Sequence, residues 1–145
     1  MSTNAPPEDP IFFTDRDLGK SFPRALAAFG LNVRAHGDYF APQASDETWL
    51  EAVGRQGWVA VTHDRRIRYK PNELAAVARH RVALFVVVGK APLPQLAPAF
   101  VATLPVIRAF IAEHERPYIA SVYRGLQRAD GTFLPGRVEL AYPKR

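Results

Sequence analysis

The sequence predicts an α/β fold: a mainly parallel central sheet closed at one edge by a C-terminal β-hairpin. Three observations predict it. Four short apolar runs alternate with stretches whose apolar residues recur at helical spacing, the pattern of strands joined by crossover helices. One of those runs, Val82-Ala-Leu-Phe-Val-Val-Val88, is apolar throughout, as a strand buried on both faces must be. Two further β-rich runs near the C terminus flank a loop that carries Asp130-Gly131, which is a hairpin signal.

Taken in order, residues 1–10 are polar and proline-rich and read as a disordered leader. Ile11-Phe-Phe-Thr14 reads as the first strand, ending at Asp15. Residues 18–29 place Leu18, Phe22, Ala25, Leu26 and Phe29 on one helical face, with Gly30 as the stop. Leu31-Asn-Val-Arg-Ala35 reads as the second strand, and residues 36–45 as a loop rich in Gly, Pro, Asp and Ser. Ser45 suits the N-cap of a helix to about residue 56, with Asp46 and Glu47 in the first turn and Gly57 at its end. Trp58-Val-Ala-Val-Thr62 reads as the third strand, running into His63-Asp64. A basic stretch, Arg65-Arg-Ile-Arg-Tyr-Lys70, leads to Pro71, which opens a helix to about residue 80. Residues 82–88 form the fourth strand. Residues 94–115 predict a helix that Pro105 kinks or splits. Tyr118-Ile-Ala-Ser-Val-Tyr123 and Arg137-Val-Glu-Leu-Ala-Tyr142 are the arms of the hairpin. The chain is thus read as a leader (1–10), a main domain (11–117) and a hairpin extension (118–145) packed on that domain.

A chain of 145 residues with 48% hydrophobic and 23% charged residues fits one globular core. The absence of cysteine excludes a disulfide framework, a thiolate zinc site, an iron–sulfur cluster and a cysteine nucleophile. No apolar run approaches the length of a bilayer span and the first residues carry no apolar signal segment, so the expected setting is cytoplasmic, with no membrane partner. The net charge of +5 is unevenly spread: residues 1–64 hold 9 acids and 5 bases, residues 65–145 hold 5 acids and 14 bases. Such a split points to a polyanion or an acidic protein as partner.

In a parallel sheet, sites form at the carboxyl ends of the strands. Asp15 and Asp64 both lie just past such an end. Asp46 shares a helix face with Trp49, Leu50 and Val53, the apolar stripe, and so points inward. Taken singly, each reads better as a turn, loop or first-turn acid than as a ligand. Converging, three carboxylates call for a hard divalent cation, and Asp15, Asp46 and Asp64 become an oxygen-only Mg²⁺ or Mn²⁺ site suited to phosphodiester displacement.

At these residues the chain resembles the PIN-like nuclease domains, most closely the PIN-like ribonuclease toxins of bacterial toxin–antitoxin pairs. The resemblance lies in Phe12-Phe-Thr-Asp-Arg-Asp-Leu-Gly-Lys20, Ser45-Asp-Glu-Thr-Trp-Leu50 and Gly57-Trp-Val-Ala-Val-Thr-His-Asp-Arg-Arg-Ile67, and it spans roughly residues 11–120. It implies a three-layer α/β/α sandwich and a metal-dependent endoribonuclease, with Asp15, Asp46 and Asp64 on Mg²⁺ or Mn²⁺ and Thr62 as a supporting hydroxyl. It further implies an RNA substrate, a cognate antitoxin protein and a homodimer. The chain departs from the pattern at Arg66, where many such domains carry a fourth acid. Asp17 lies near Asp15 but is read as outside the ligand set.

Arg65, Arg66, Arg68 and Lys70 would neutralise phosphates beside such a site, and Tyr69 among them could stack on an unpaired base. The four histidines have no metal-ligand spacing, and nucleotide-loop and serine-hydrolase motifs are missing. Two alternatives stand. Arg66 suits a catalytically degenerate module that binds RNA or protein. Asp15-Arg-Asp17 after a strand suits a haloacid-dehalogenase-like phosphatase, although Gly19 and the acid-free Gly89-Lys-Ala-Pro segment do not.

Overall fold

Phe12 and Phe13 are both fully buried and point to opposite faces of one sheet, so a two-residue alternation sets up two cores. The structure, a computed structural model, describes residues 9–144. The leader read over residues 1–10 therefore lies outside the described residues except for Asp9 and Pro10.

Six strands form the sheet: β1 (Ile11–Thr14), β2 (Asn32–Ala35), β3 (Val59–Thr62), β4 (Ala83–Val88), β5 (Tyr118–Tyr123) and β6 (Arg137–Tyr142). Their order is β2-β1-β3-β4-β5-β6, parallel throughout except for the antiparallel edge strand β6. The helices are α1 (Ser21–Ala28), α2 (Asp46–Gln56), α3 (Pro71–Arg79), α4 (Leu93–Ala102) and α5 (Leu104–Glu113). One core joins Phe12, Val61, Phe85 and Val122 of the sheet to Phe22 and Leu26 of α1, Phe100 of α4 and Ile107 of α5. The other joins Phe13, Ala60, Leu84 and Ile119 to Trp49, Leu50 and Val53 of α2 and Val77 of α3. Helices on both faces of a mainly parallel sheet make the three-layer α/β/α arrangement that the resemblance implies.

The local signals explain the boundaries. Ser45 caps α2 by accepting from Thr48 N, and Gly57 ends it in the left-handed region at φ +72°. Leu18 does not start the first helix; it lies in a 3₁₀ turn (Arg16–Leu18), and α1 begins three residues later. The helix predicted over 94–115 is two helices bent by 62°, with Pro105 in the first turn of the second, where its missing N–H costs nothing. Buried Thr103 stands at the break. Its hydroxyl donates to Ala99 O at 2.8 Å and accepts from Gly136 N at 3.0 Å, which ties the returning hairpin arm to the helix break. No single helix among the described residues is long and apolar enough to cross a membrane.

Candidate active site

The chain leaves β1 to one side for β2 and then crosses back to β3 on the other, so β1 and β3 flank the topological switch point of the sheet. In open α/β sheets that is where a crevice forms at the carboxyl ends of the strands. Asp15 and Thr62 occupy it. The β1–β3 register pairs Thr14 with Val61, and Asp15 N continues the ladder by donating to Val61 O at 2.9 Å. The next side chains along, Asp15 and Thr62, therefore stand side by side. Thr62 is fully buried and donates to Asp15 Oδ2 at 2.9 Å.

Asp17 joins them from the 3₁₀ turn. Its carboxyl oxygens lie 3.3 and 3.5 Å from Thr62 Oγ1, and both are 3.2 Å from His63 N, which donates to them. A hydroxyl has one hydrogen to give. The shorter contact assigns it to Asp15, so Asp17 is held chiefly by the His63 N–H. Two carboxyls thus converge on one buried hydroxyl. Burial pushes Asp15 up to about 6, with the charge of Asp17 adding to it and the Thr62 hydrogen bond opposing. Burial also raises Asp17, against the hydrogen bonds from His63 N and Thr62.

Asp64 and Asp46 stand at the two ends of this pair, and each already has a cation. Lys70 Nζ donates to Asp64 Oδ2 at 2.5 Å, and Arg66 N to Asp64 Oδ1 at 3.0 Å. Burial disfavours the Asp64 charge, but the Lys70 hydrogen bond leads a larger opposing effect that leaves its carboxyl below the usual range. Asp46, in the first turn of α2, accepts from Trp49 Nε1 at 3.0 Å, with Arg16 at 3.8 Å. Arg16 also donates to Ala44 O at 3.0 Å and lies 3.3 Å from His36 Nε2. Since a guanidinium only donates, His36 Nε2 accepts, and the buried Nδ1 carries the hydrogen with no partner among the described residues. The four acids still feel one another, Asp46 repelling Asp15 and Asp64 repelling Asp17.

The predicted residues therefore divide. Asp15 and Thr62 are in contact. Asp46 and Asp64 face the same rim but turn to Arg16 and Lys70. Among the described residues no group of three or more metal-ligating side chains is drawn close enough to hold an ion. Of the basic stretch, Arg65, Arg66 and Arg68 line a neighbouring cleft, whereas Lys70 is turned onto Asp64. Read from sequence alone, Asp17 falls outside the ligand set and Arg16 is not singled out. The Asp-x-Asp spacing across a 3₁₀ turn was the available signal for Asp17. For Arg16 there was none, because its partners Ala44 and Asp46 come from a different part of the chain.

A mainly parallel α/β sheet with an acidic rim at its switch point defines the class of open α/β domains whose sites lie at the carboxyl ends of the strands. Within that class the family is plain: the family model for the PIN like domain matches residues 10–89, more than half of the chain, and the chain belongs to that family. The match covers β1 to β4 and the four acids of the rim, Asp15, Asp17, Asp46 and Asp64. Comparison with curated proteins and with solved structures found no match.

Proposed function

We propose that this PIN-like domain is a divalent-metal-dependent endoribonuclease that hydrolyses RNA phosphodiesters at the β1–β3 rim. The observation that supports it best is the convergence of Asp15 and Asp17 on Thr62. Two adjacent carboxyls with raised pKa values are an electrostatic cost to the fold, and the donor set is all oxygen, so it fits Mg²⁺ or Mn²⁺. Asp17 then supplies the carboxylate that Arg66 does not. A bound cation would neutralise the attacked phosphate and activate water there. The chain's own part is positional. Thr62 orients Asp15, His63 N orients Asp17, Trp49 fixes Asp46, and Lys70 with Arg66 N fixes Asp64. Arg65, Arg66 and Arg68 stand ready to neutralise flanking phosphates.

The role of toxin in a toxin–antitoxin pair, with a cognate antitoxin and a homodimeric state, rests on the ordered motif set described under the sequence. A second reading has its own observation. Arg16 and Lys70 already neutralise two of the four acids, as a non-catalytic RNA-binding module would tolerate. Incubation of labelled total RNA with protein and Mn²⁺, beside EDTA and the Asp15→Asn and Asp64→Asn variants, decides between them. Discrete cleavage lost in all three controls supports the nuclease. RNA retention without cleavage supports the module, and cleavage that survives both substitutions refutes the site.

A further inference from the structure

Two cations of the chain itself stand among the four acids of the rim, and they are not equivalent. Arg16 lies 3.8 Å from Asp46, beyond hydrogen-bond length, and spends its donors on Ala44 O and His36. Lys70 Nζ donates to Asp64 Oδ2 at 2.5 Å, and the charge of Asp46 acts on it as well. An ammonium has three hydrogens to give. Among the described residues Asp64 takes one and nothing takes the other two, on a side chain that is 42% exposed. The Lys70 backbone is fixed, its N–H donating to Ile67 O and its carbonyl accepting from Leu74 N at the start of α3. Asp64 is occupied on both oxygens, by Lys70 and by Arg66 N. Asp15 and Asp17 are the two rim acids that no cation meets among the described residues.

We propose that Lys70 is a resident cation in the place of a second metal ion, so that the rim takes one divalent ion, on Asp15 and Asp17, and Lys70 supplies the other positive charge to the attacked phosphate. The proposal rests on the metal-dependent reading above and adds to it the number of ions and a role for Lys70. Charge counting supports it. Once Arg16 and Lys70 offset Asp46 and Asp64, the two carboxylates left over match the charge of a single divalent ion. A second ion would have to displace Lys70 from Asp64 and break a charge-assisted hydrogen bond held by a fixed backbone. An ammonium in that position gives a phosphate oxygen charge and a directed hydrogen bond through its remaining N–H groups. Without Lys70, three carboxylates lack a cation of the chain, and a second divalent ion gains both charge and room.

The test counts Mn²⁺ per chain by electron paramagnetic resonance and isothermal titration calorimetry, in full-length protein without RNA, so that no substrate phosphate contributes. Wild type is expected to bind one ion. Lys70→Met is expected to bind two, with the spin-coupled spectrum of neighbouring Mn²⁺. Lys70→Arg keeps the charge and is expected to stay at one. Asp64→Asn added to Lys70→Met should return the count from two to one. Circular dichroism checks folding, and Lys70→Gln repeats the test should Lys70→Met fail to fold. Two ions in wild type, or one ion in the folded Lys70→Met or Lys70→Gln chain, overturns the role of Lys70 and leaves the metal-dependent reading standing. A wild type that binds no Mn²⁺ overturns that reading and the proposal with it.

Discussion

Thr62 Oγ1 lies 2.9 Å from Asp15 Oδ2, a contact between residues 47 positions apart that fixes the carboxyl at the centre of the rim. The same oxygen accepts from Asp64 N at 3.1 Å, so one hydroxyl serves both acids. Thr62→Val keeps the shape and removes both hydrogen bonds. Asp15 is then expected to titrate above its value of about 6, and the fold to lose about 1–3 kcal/mol in urea denaturation. Thr62→Ser should restore both. Carboxyl NMR titration reads the first effect, and an unmoved Asp15 would mean that the hydroxyl does not hold its charge.

Asp15 makes the protein less stable as the solution becomes more alkaline. Its folded pKa is raised from 3.8 to about 6, so the folded state holds the proton more tightly than the unfolded chain. The contribution is complete below about pH 4 and is lost as pH rises through 6, to a total of about 3 kcal/mol. Asp17 acts in the same direction; Asp64, lowered, contributes stability that is lost instead as pH falls. Asp15→Asn should therefore melt several degrees above wild type at pH 8 and converge with it at pH 4. Thermal melts in metal-free buffer check this, and equal melting temperatures at pH 8 would refute it.

Divalent metal should reverse that cost. At a concentration on the order of a hundred times its Kd, Mn²⁺ would stabilise the wild type by about 2.7 kcal/mol, and Asp15→Asn should lose most of that gain. Lys70 competes for Asp64, so Lys70→Met should enlarge the Mn²⁺-induced rise in melting temperature. Differential scanning fluorimetry with and without EDTA measures both. A smaller rise in Lys70→Met would mean that Asp64 does not take part in binding.

Gly54 lets α2 pass close to the end of α3. A Cβ there would lie 2.3 Å from His80 O, a backbone atom that cannot turn aside. Gly54→Ala is expected to destabilise by about 1–3 kcal/mol despite the better helix propensity of alanine, because overpacking outweighs a gain of about 1 kcal/mol. Chemical denaturation tests the sign, and a stabilised variant would show that the helices can part freely.

Most of the fold was legible because its signals are local. Ser45 marks a helix start by its side-chain cap, Pro71 by the N–H it lacks and Gly57 a helix end by its left-handed φ, and the apolar run of β4 records burial on both faces. Apolar spacing extends the first helix too far because Leu18 is buried like its helical neighbours although it sits in a 3₁₀ turn. Periodicity reports burial, not the hydrogen-bond pattern that buries.

At the site, the sequence by itself determined which acids end strands and begin helices, and hence that Asp15, Asp46 and Asp64 share one rim. Only the tertiary structure decided what each carboxyl meets there. Asp17 faces Thr62 because the β1–β3 register aligns Asp15 with Thr62 and the 3₁₀ turn folds back over them. Lys70 reaches Asp64, and Arg16 reaches Asp46, across loops whose paths no spacing rule fixes. Strand and helix ends follow from the residues within them. The pairing of charges depends on register, crossover and loop path, which belong to the folded chain as a whole.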